Sequence, residues 1–326
     1  MQLDNMLLQA CKNNQRGVVQ TFLKKGGIDI NKRDESGNTP LIYACMKNSR
    51  EIVKMLLEAG ADAALENRLS RAPIHFAAET GNYEMVSMLV GAGADVNCTD
   101  RDGVTPLMLM AQRGKTDTAL KFIENHKDVD IQLKDKNNNT AEDYASHAGL
   151  RELVKALSQD GEHTDSYGNT TLHHACRNGQ AEVVKVLIEK GADVNKLNDN
   201  GDSPLVLAVQ QANLVIAERL LEAGAQTELA DINGVTPLHI ASDDGELFIG
   251  RALIAAKANV NAKTTDGDTP LILAARSGKN DFTEMLIAEG ADVNAVNNGG
   301  HSALYYASEA GFTEIVEQLL MAGAEN

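Results

Sequence analysis

Tryptophan is absent from this 326-residue chain, and aromatic residues make up only 4% of it. The 43% hydrophobic content is therefore chiefly alanine, leucine, valine and isoleucine, which suits thin layers of short, closely packed helices. Basic residues are also scarce, 30 against 46 acidic, and the net charge of −16 argues against a nucleic-acid or anionic-membrane footprint. The deficit is uneven: residues 1–163 hold 20 basic and 23 acidic residues, and residues 164–326 hold 10 and 23. No apolar run reaches the roughly 18 residues of a membrane span. The opening Met1-Gln2-Leu3-Asp4-Asn5-Met6-Leu7-Leu8 is too briefly apolar for a secretory signal. The expectation is a soluble, cytoplasmic chain.

Proline is equally sparse, and its six copies share one context: Thr39-Pro40-Leu41, Ala72-Pro73-Ile74, Thr105-Pro106-Leu107, Ser203-Pro204-Leu205, Thr236-Pro237-Leu238 and Thr269-Pro270-Leu271. Adjacent copies lie 33 residues apart, a period that marks a stacked repeat array. The turn two residues before each Thr, Ser or Ala is Gly37, Ser70, Gly103, Asn138, Gly168, Gly201, Gly234, Gly267 or Gly300, as a positive-φ position requires. With an N-terminal unit the count is ten repeats. In residues 164–197, Thr170 caps a first helix and Gly179 ends it, Val183, Val184, Leu187 and Ile188 form the buried stripe of a second, and Gly191 closes that one.

The run Thr236-Pro237-Leu238-His239-Ile240-Ala241 resembles the ankyrin repeat signature. The resemblance covers essentially the whole chain. It implies an all-α solenoid of helix–turn–helix units with hairpin fingers and a concave groove, built as residues 1–163 (repeats one to five) and 164–326 (six to ten).

Departures from the pattern are more informative than matches. The first exit, at Gly26-Gly27-Ile28-Asp29, carries one extra residue, and the fourth, around Asn125-His126-Lys127-Asp128, carries two. Lys257 and Asn48 replace glycine at helix ends. The fifth unit reads Thr140-Ala141-Glu142-Asp143-Tyr144-Ala145 without proline, sets Glu142 where other units bury Leu or Ile, and lacks three exit residues at Ser158-Gln159-Asp160-Gly161. A buried unpaired carboxylate is costly, so a looser layer and a weak joint are expected at 138–165. At the C-terminal end, Gly323-Ala324-Glu325-Asn326 stops in mid-hairpin. Glu309, Glu314, Glu317 and Gln318 supply a polar outer face there; otherwise the boundary was cut from a longer protein, or this end packs on another copy.

Little here reads as an active site. Cys11, Cys45 and Cys176 fill a small slot of the first helix and, with Cys98, are expected to be buried free thiols. His75, His173 and His239 fill the family's His slot, which resembles a structural hydrogen-bonding position. His173-His174 diverge by about 100° on a helix and make a poor chelate, and His174 takes a normally apolar slot. The pairs Asp243-Asp244 and Asp266-Asp268 lack calcium-loop spacing. No catalytic residue, cofactor or metal site is expected.

Recognition remains. By resemblance, hairpin tips and the exposed side of each first helix contact a protein partner. In the first half these slots hold Arg33, Glu35, Met46, Lys47, Arg68, Leu69, Arg71, Glu79, Arg101, Gln112 and Arg113, a comparatively basic surface. In the second half the candidates are Tyr167, Arg177, Leu197, Asp199, Asn200, Gln210, Ile232, Asn233, Asp243, Asp244, Asp266, Asp268, Arg276 and Val296, with Val235 among them. Acids alternating with apolar anchors imply a partner with a basic patch. The alternative is a self-associating scaffold using terminal surfaces, with Tyr305 and Tyr306 as contacts.

Overall fold

The computed structural model describes residues 2–158 and 164–325. They fall into two compact units, one up to Ser158 and one from Gln159 onward. The first holds α1 (Gln2–Lys12), α2 (Arg16–Lys25), α3 (Pro40–Met46), α4 (Arg50–Glu58), α5 (Pro73–Thr80), α6 (Tyr83–Gly91), α7 (Pro106–Gln112), α8 (Thr116–Asn125), α9 (Ala141–His147) and α10 (Arg151–Leu157). The second holds α11 (Thr171–Arg177), α12 (Ala181–Glu189), α13 (Pro204–Gln210), α14 (Leu214–Glu222), α15 (Pro237–Asp244), α16 (Leu247–Ala255), α17 (Pro270–Arg276), α18 (Asn280–Ala288), α19 (Ala303–Ala310) and α20 (Thr313–Met321). Consecutive helices pair into five repeats in each unit. Only an isolated bridge, Val296 to Ser302, has strand character among the described residues.

Each first helix starts where the sequence stops it from starting earlier. Thr39 is extended, and its hydroxyl accepts from the Ile42 N–H at 3.2 Å, while Pro40 needs no hydrogen-bond partner at the first helical position. Thr105, Ser203 and Thr269 repeat the cap on Met108, Val206 and Ile272. Such a cap contributes about 1 kcal/mol. Helices in the same place in successive repeats pack together, α13 on α15 and α14 on α16 for example. Leu205, Val206 and Ala208 of α13 and Ile216, Ala217 and Leu220 of α14 are fully buried.

The exits are tied by asparagines. Asn195 donates to the Gly224 carbonyl at 3.2 Å and accepts from the Gln226 N–H at 2.8 Å. Asn97 makes the same pair of bonds to Asp128 and Asp130, and Asn294 to Gly323 and Glu325. The side chain thus takes up one donor and one acceptor of the next exit's backbone, which no helix satisfies.

In the fifth repeat Glu142 is half-exposed, and the Ser158 hydroxyl donates to it at 2.7 Å. Part of the expected joint, residues 159–163, lies outside the described residues, as does Asn326 at the chain end.

Candidate functional site

In each finger a side-chain oxygen closes the turn. Asp231 Oδ1 accepts from the N–H groups of Asn233 and Val235 at 2.8 and 2.9 Å, and Asn198 and Asn297 do the same two and four residues on. This Asx turn carries the chain through the positive-φ residue, φ +72° at Gly234 and +62° at Asn138.

Neighbouring fingers are joined by one backbone rung per step. Arg68 N–H donates to the Ser36 carbonyl, Arg101 to Leu69 and Lys136 to Asp102 in the first unit. In the second unit Asp199 donates to Tyr167, Thr265 to Asn233 and Asn298 to Asp266. The step from 198–202 to 231–235 lacks its rung: among the described residues no backbone bond joins the Ile232 N–H to the Asn200 carbonyl. The step is also wider. A Cβ on Gly201 would lie 3.5 Å from the Ile232 nitrogen, against 2.9–3.3 Å for the corresponding pairs at Gly37, Gly103, Gly168, Gly234 and Gly267.

Most candidates on this surface are exposed. Ile232 is 79% and Tyr167 71% accessible, and Leu197 and Val296 are exposed too. Asp199, Asn200, Gln210, Asn233, Asp243, Asp244 and Asp266 are exposed polar neighbours, and Arg177 reaches back to Asn169 Oδ1 at 3.5 Å. At the following step, between the fingers at 231–235 and 264–268, lies a recess of about 400 Å³. Gln210, Asn233, Val235, Ile240, Asp243, Asp244, Asp266, Leu273 and Arg276 are among its lining residues.

Three assignments change. Asp268 is not a free acidic contact: it is 7% exposed, accepts from Arg276 Nη1 at 2.9 Å and Asn297 Nδ2 at 2.8 Å, and so commits its charge to the scaffold. Arg276 is correspondingly occupied, its guanidinium also lying 5.6 Å from the Tyr306 ring centroid. Tyr306 is half-buried and receives a bond from Asn297, so only Tyr305, stacked on His301 at 4.1 Å, presents an open face. In the first unit the basic surface is partly neutralised, because Glu79 pairs with both Arg71 and Arg113.

The His slot is an acceptor slot. Nδ1 of His173 and of His239 accepts from the N–H of Thr170 and Thr236 at 3.0 and 3.1 Å, while Nε2 of each lies 3.1 Å from the Asp202 or Asp268 carbonyl of the next finger. Met108 Sδ and Asp143 Oδ2 do the first of these jobs for Thr105 and Thr140. Burial pushes His173 down to about 4 and lowers His75 and His239, which favours neutral rings. His174 is explained by its neighbours: Tyr43, Tyr144 and Tyr306 fill the same slot. Each meets the finger residue nine positions upstream, as in Tyr144 to Asp135 at 2.6 Å and His174 Nε2 to Asp165 at 3.0 Å. Burial works to raise the Asp165 carboxyl, but N–H groups of Tyr167 and Asn169, the Asn169 amide and His174 bring it below the usual range.

Cys11, Cys45 and Cys176 are fully buried free thiols, each pushed up by burial. Cys98 is only half-buried, 3.9 Å from His75 Nδ1, and burial still raises it to about 12. Among the described residues no three His, Cys, Asp or Glu side chains converge as metal ligands, and no helix is long and apolar enough to cross a membrane.

The family model for ankyrin repeats in three copies matches residues 3–67, 74–167, 107–198, 172–264 and 238–326. Local similarity joins the chain to an ankyrin repeat protein of Fowlpox virus (strain NVSL), 41% identical over 66 residues, which are 20% of this chain and 15% of the viral protein. The human transient receptor potential cation channel subfamily A member 1 is 40% identical over 75 residues, 22% of this chain and 7% of the channel. Delta-latroinsectotoxin-Lt1a of Latrodectus tredecimguttatus is 43% identical over 84 residues, 24% of this chain and 7% of the toxin. Each match therefore spans a small part of the relative. Repeats of this kind generally mediate protein–protein interaction and are typically non-enzymatic. With helix pairs, fingers and family model in agreement from end to end, the chain belongs to the ankyrin repeat family.

Proposed function

We propose that this protein is a non-enzymatic scaffold that binds a protein partner carrying a basic patch, through the fingers and first helices of residues 164–326. The observation that carries the reading is the coexistence of Ile232, Tyr167 and Leu197, all exposed, with Asp199, Asp243, Asp244 and Asp266 on one run of fingers and helix ends. Apolar anchors supply affinity once desolvated, and the surrounding acids steer and select a cationic partner. The test is charge reversal of Asp199, Asp243 and Asp266 together, with a partner recovered on the wild-type chain. Association should slow by about tenfold or more, and its salt dependence should flatten. An unchanged rate would remove the placement.

A second reading, self-association, draws on the exposed Tyr305 and on Met321, 90% accessible. Light scattering over a range of concentrations separates the two, because a monomer at every concentration excludes it.

A further inference from the structure

In several repeats a polar pair joins the end of the finger to the last turn of the first helix. Arg71 Nη2 lies 3.0 Å from Glu79 Oε2, Arg177 Nη2 donates to Asn169 Oδ1 at 3.5 Å, and Arg276 Nη1 donates to Asp268 Oδ2 at 2.9 Å. The third repeat shows how a guanidinium sits in this place. Arg71 Cζ lies 4.3 Å from the Phe76 ring centroid, and Glu79 takes a second cation, Arg113 of the next repeat, at 3.1 Å.

In the eighth repeat the same positions hold Val235, Ile240 and Asp243, and Ser277 stands where the fourth repeat has Arg113. The carboxylate is kept and both cations are lost. Among the described residues Asp243 meets the neutral Ser277 hydroxyl, and no lysine or arginine pairs with it or with Asp266. The place that Arg71 fills is open here: it is the recess between the fingers at 231–235 and 264–268. Val235 and Ile240, both half-buried, line it, as do the exposed Asp243 and Asp266.

We propose that this recess receives an arginine side chain of the protein partner, whose guanidinium takes the place that Arg71 holds in the third repeat. Its flat face lies on Ile240 and Val235, as that of Arg71 lies on Phe76, and its N–H groups donate to Asp243 and to Asp266 of the next finger. A planar guanidinium carries donors around its rim and is weakly hydrated on its faces, so it suits apolar walls with carboxylates beside them better than a compact ammonium does. Arg276 also borders the recess, but its charge is spent on Asp268. The proposal rests on the groove reading above and adds the residue that the partner brings and the place where it goes.

Phage libraries of randomised peptides with the central residue fixed as arginine, lysine or leucine are panned against the full chain, and affinities are read by fluorescence polarisation. The arginine library should enrich most strongly. Exchange of that arginine for lysine should weaken binding several-fold, and Asp243→Asn should weaken it about tenfold. Val235→Arg is the sharper probe, because it rebuilds the Arg71–Glu79 pair within the chain. The new guanidinium occupies the recess, so binding should fall about tenfold or more with both acids still in place.

Peptides that bind Asp243→Asn and Val235→Arg as well as wild type, but are weakened by charge reversal of Asp199, would overturn the recess and leave the groove reading standing. Indifference to Asp199 as well would overturn both. Enrichment of the leucine library equal to that of the arginine library would also overturn the recess, as would no enrichment at all. Should either variant melt early by circular dichroism, the wild-type methyl signals of Val235 and Ile240 decide alone: they should shift with the arginine peptide and stay in place with its leucine counterpart.

Discussion

Gly250 and Phe282 share one volume. A methyl group added to Gly250 in α16 would lie 2.4 Å from Cζ of Phe282 in α18 and 3.0 Å from Cε of Met285. Neighbouring repeats place Val184 and Ala217 where Gly250 stands, and Ile216 and Ile249 where Phe282 stands, so a large ring in one repeat has been matched by a missing side chain in the one before. Both residues are buried, and the core around them is close-packed, so the ring cannot move aside freely.

Gly250→Ala should therefore destabilise, despite the better helix propensity of alanine, by about 1–3 kcal/mol of overpacking. Adding Phe282→Leu should restore much of the loss. Thermal melting of the three variants checks this, and a Gly250→Ala protein as stable as wild type would show that the layer relaxes.

Ala212 ends α13 at φ +51°, a place taken in other repeats by Gly81, Gly179 and Gly245 at +74°, +68° and +79°. A left-handed conformation costs a residue with a Cβ roughly 1–2 kcal/mol, partly offset by the greater entropy glycine loses on folding. Ala212→Gly should raise stability by about 0.5–1 kcal/mol. A lower midpoint in urea would contradict that.

His173 links stability to pH. Its folded value of about 4 lies below the ordinary 6.5 because burial penalises the imidazolium. A depressed folded value means the unfolded state binds the proton first. The contribution is fully present above about pH 6.5 and is lost as pH falls toward 4, on the order of 3 kcal/mol in all. His173→Met, which copies the arrangement at Met108, keeps an acceptor for the Thr170 N–H and removes the titration. Its stability should change less than that of wild type between pH 6.5 and 4, measured by urea unfolding at a series of pH values.

For the fifth repeat we propose lower local stability than its neighbours. Glu142 stands, half-exposed, where the first helices of other repeats bury Leu41 or Leu172, so less apolar surface is removed from water in this layer. Amides of α9 and α10 should exchange faster than those of α7 and α8, and equal protection would end the idea.

The sequence displays the repeat because its turn chemistry is local. Thr-Pro before each first helix, and the residues at positive φ, including Asn48, Ser70 and Lys257, are dictated within a few positions and are readable one unit at a time. Asp268 defeats a reading by position because its partners, Arg276 and Asn297, lie eight and 29 residues away, and a place in the finger alone suggests exposure. His174 is readable in principle: Tyr43, Tyr144 and Tyr306 share its slot, each with Asp or Asn nine residues upstream. The open step at Ile232 has no such signal, since a backbone spacing of a few tenths of an ångström leaves no mark on residue type.

The exit asparagines carry a consequence for how such a chain can vary. Asn195 and Asn294 each hold only the exit that follows, and the fingertip side chains take no part in those bonds. Damage at one exit is confined to a single junction, while the tips are free to change residue without disturbing the junctions at all. Mutational drift can therefore re-specify what the surface recognises, one repeat at a time, on a frame whose integrity is secured elsewhere.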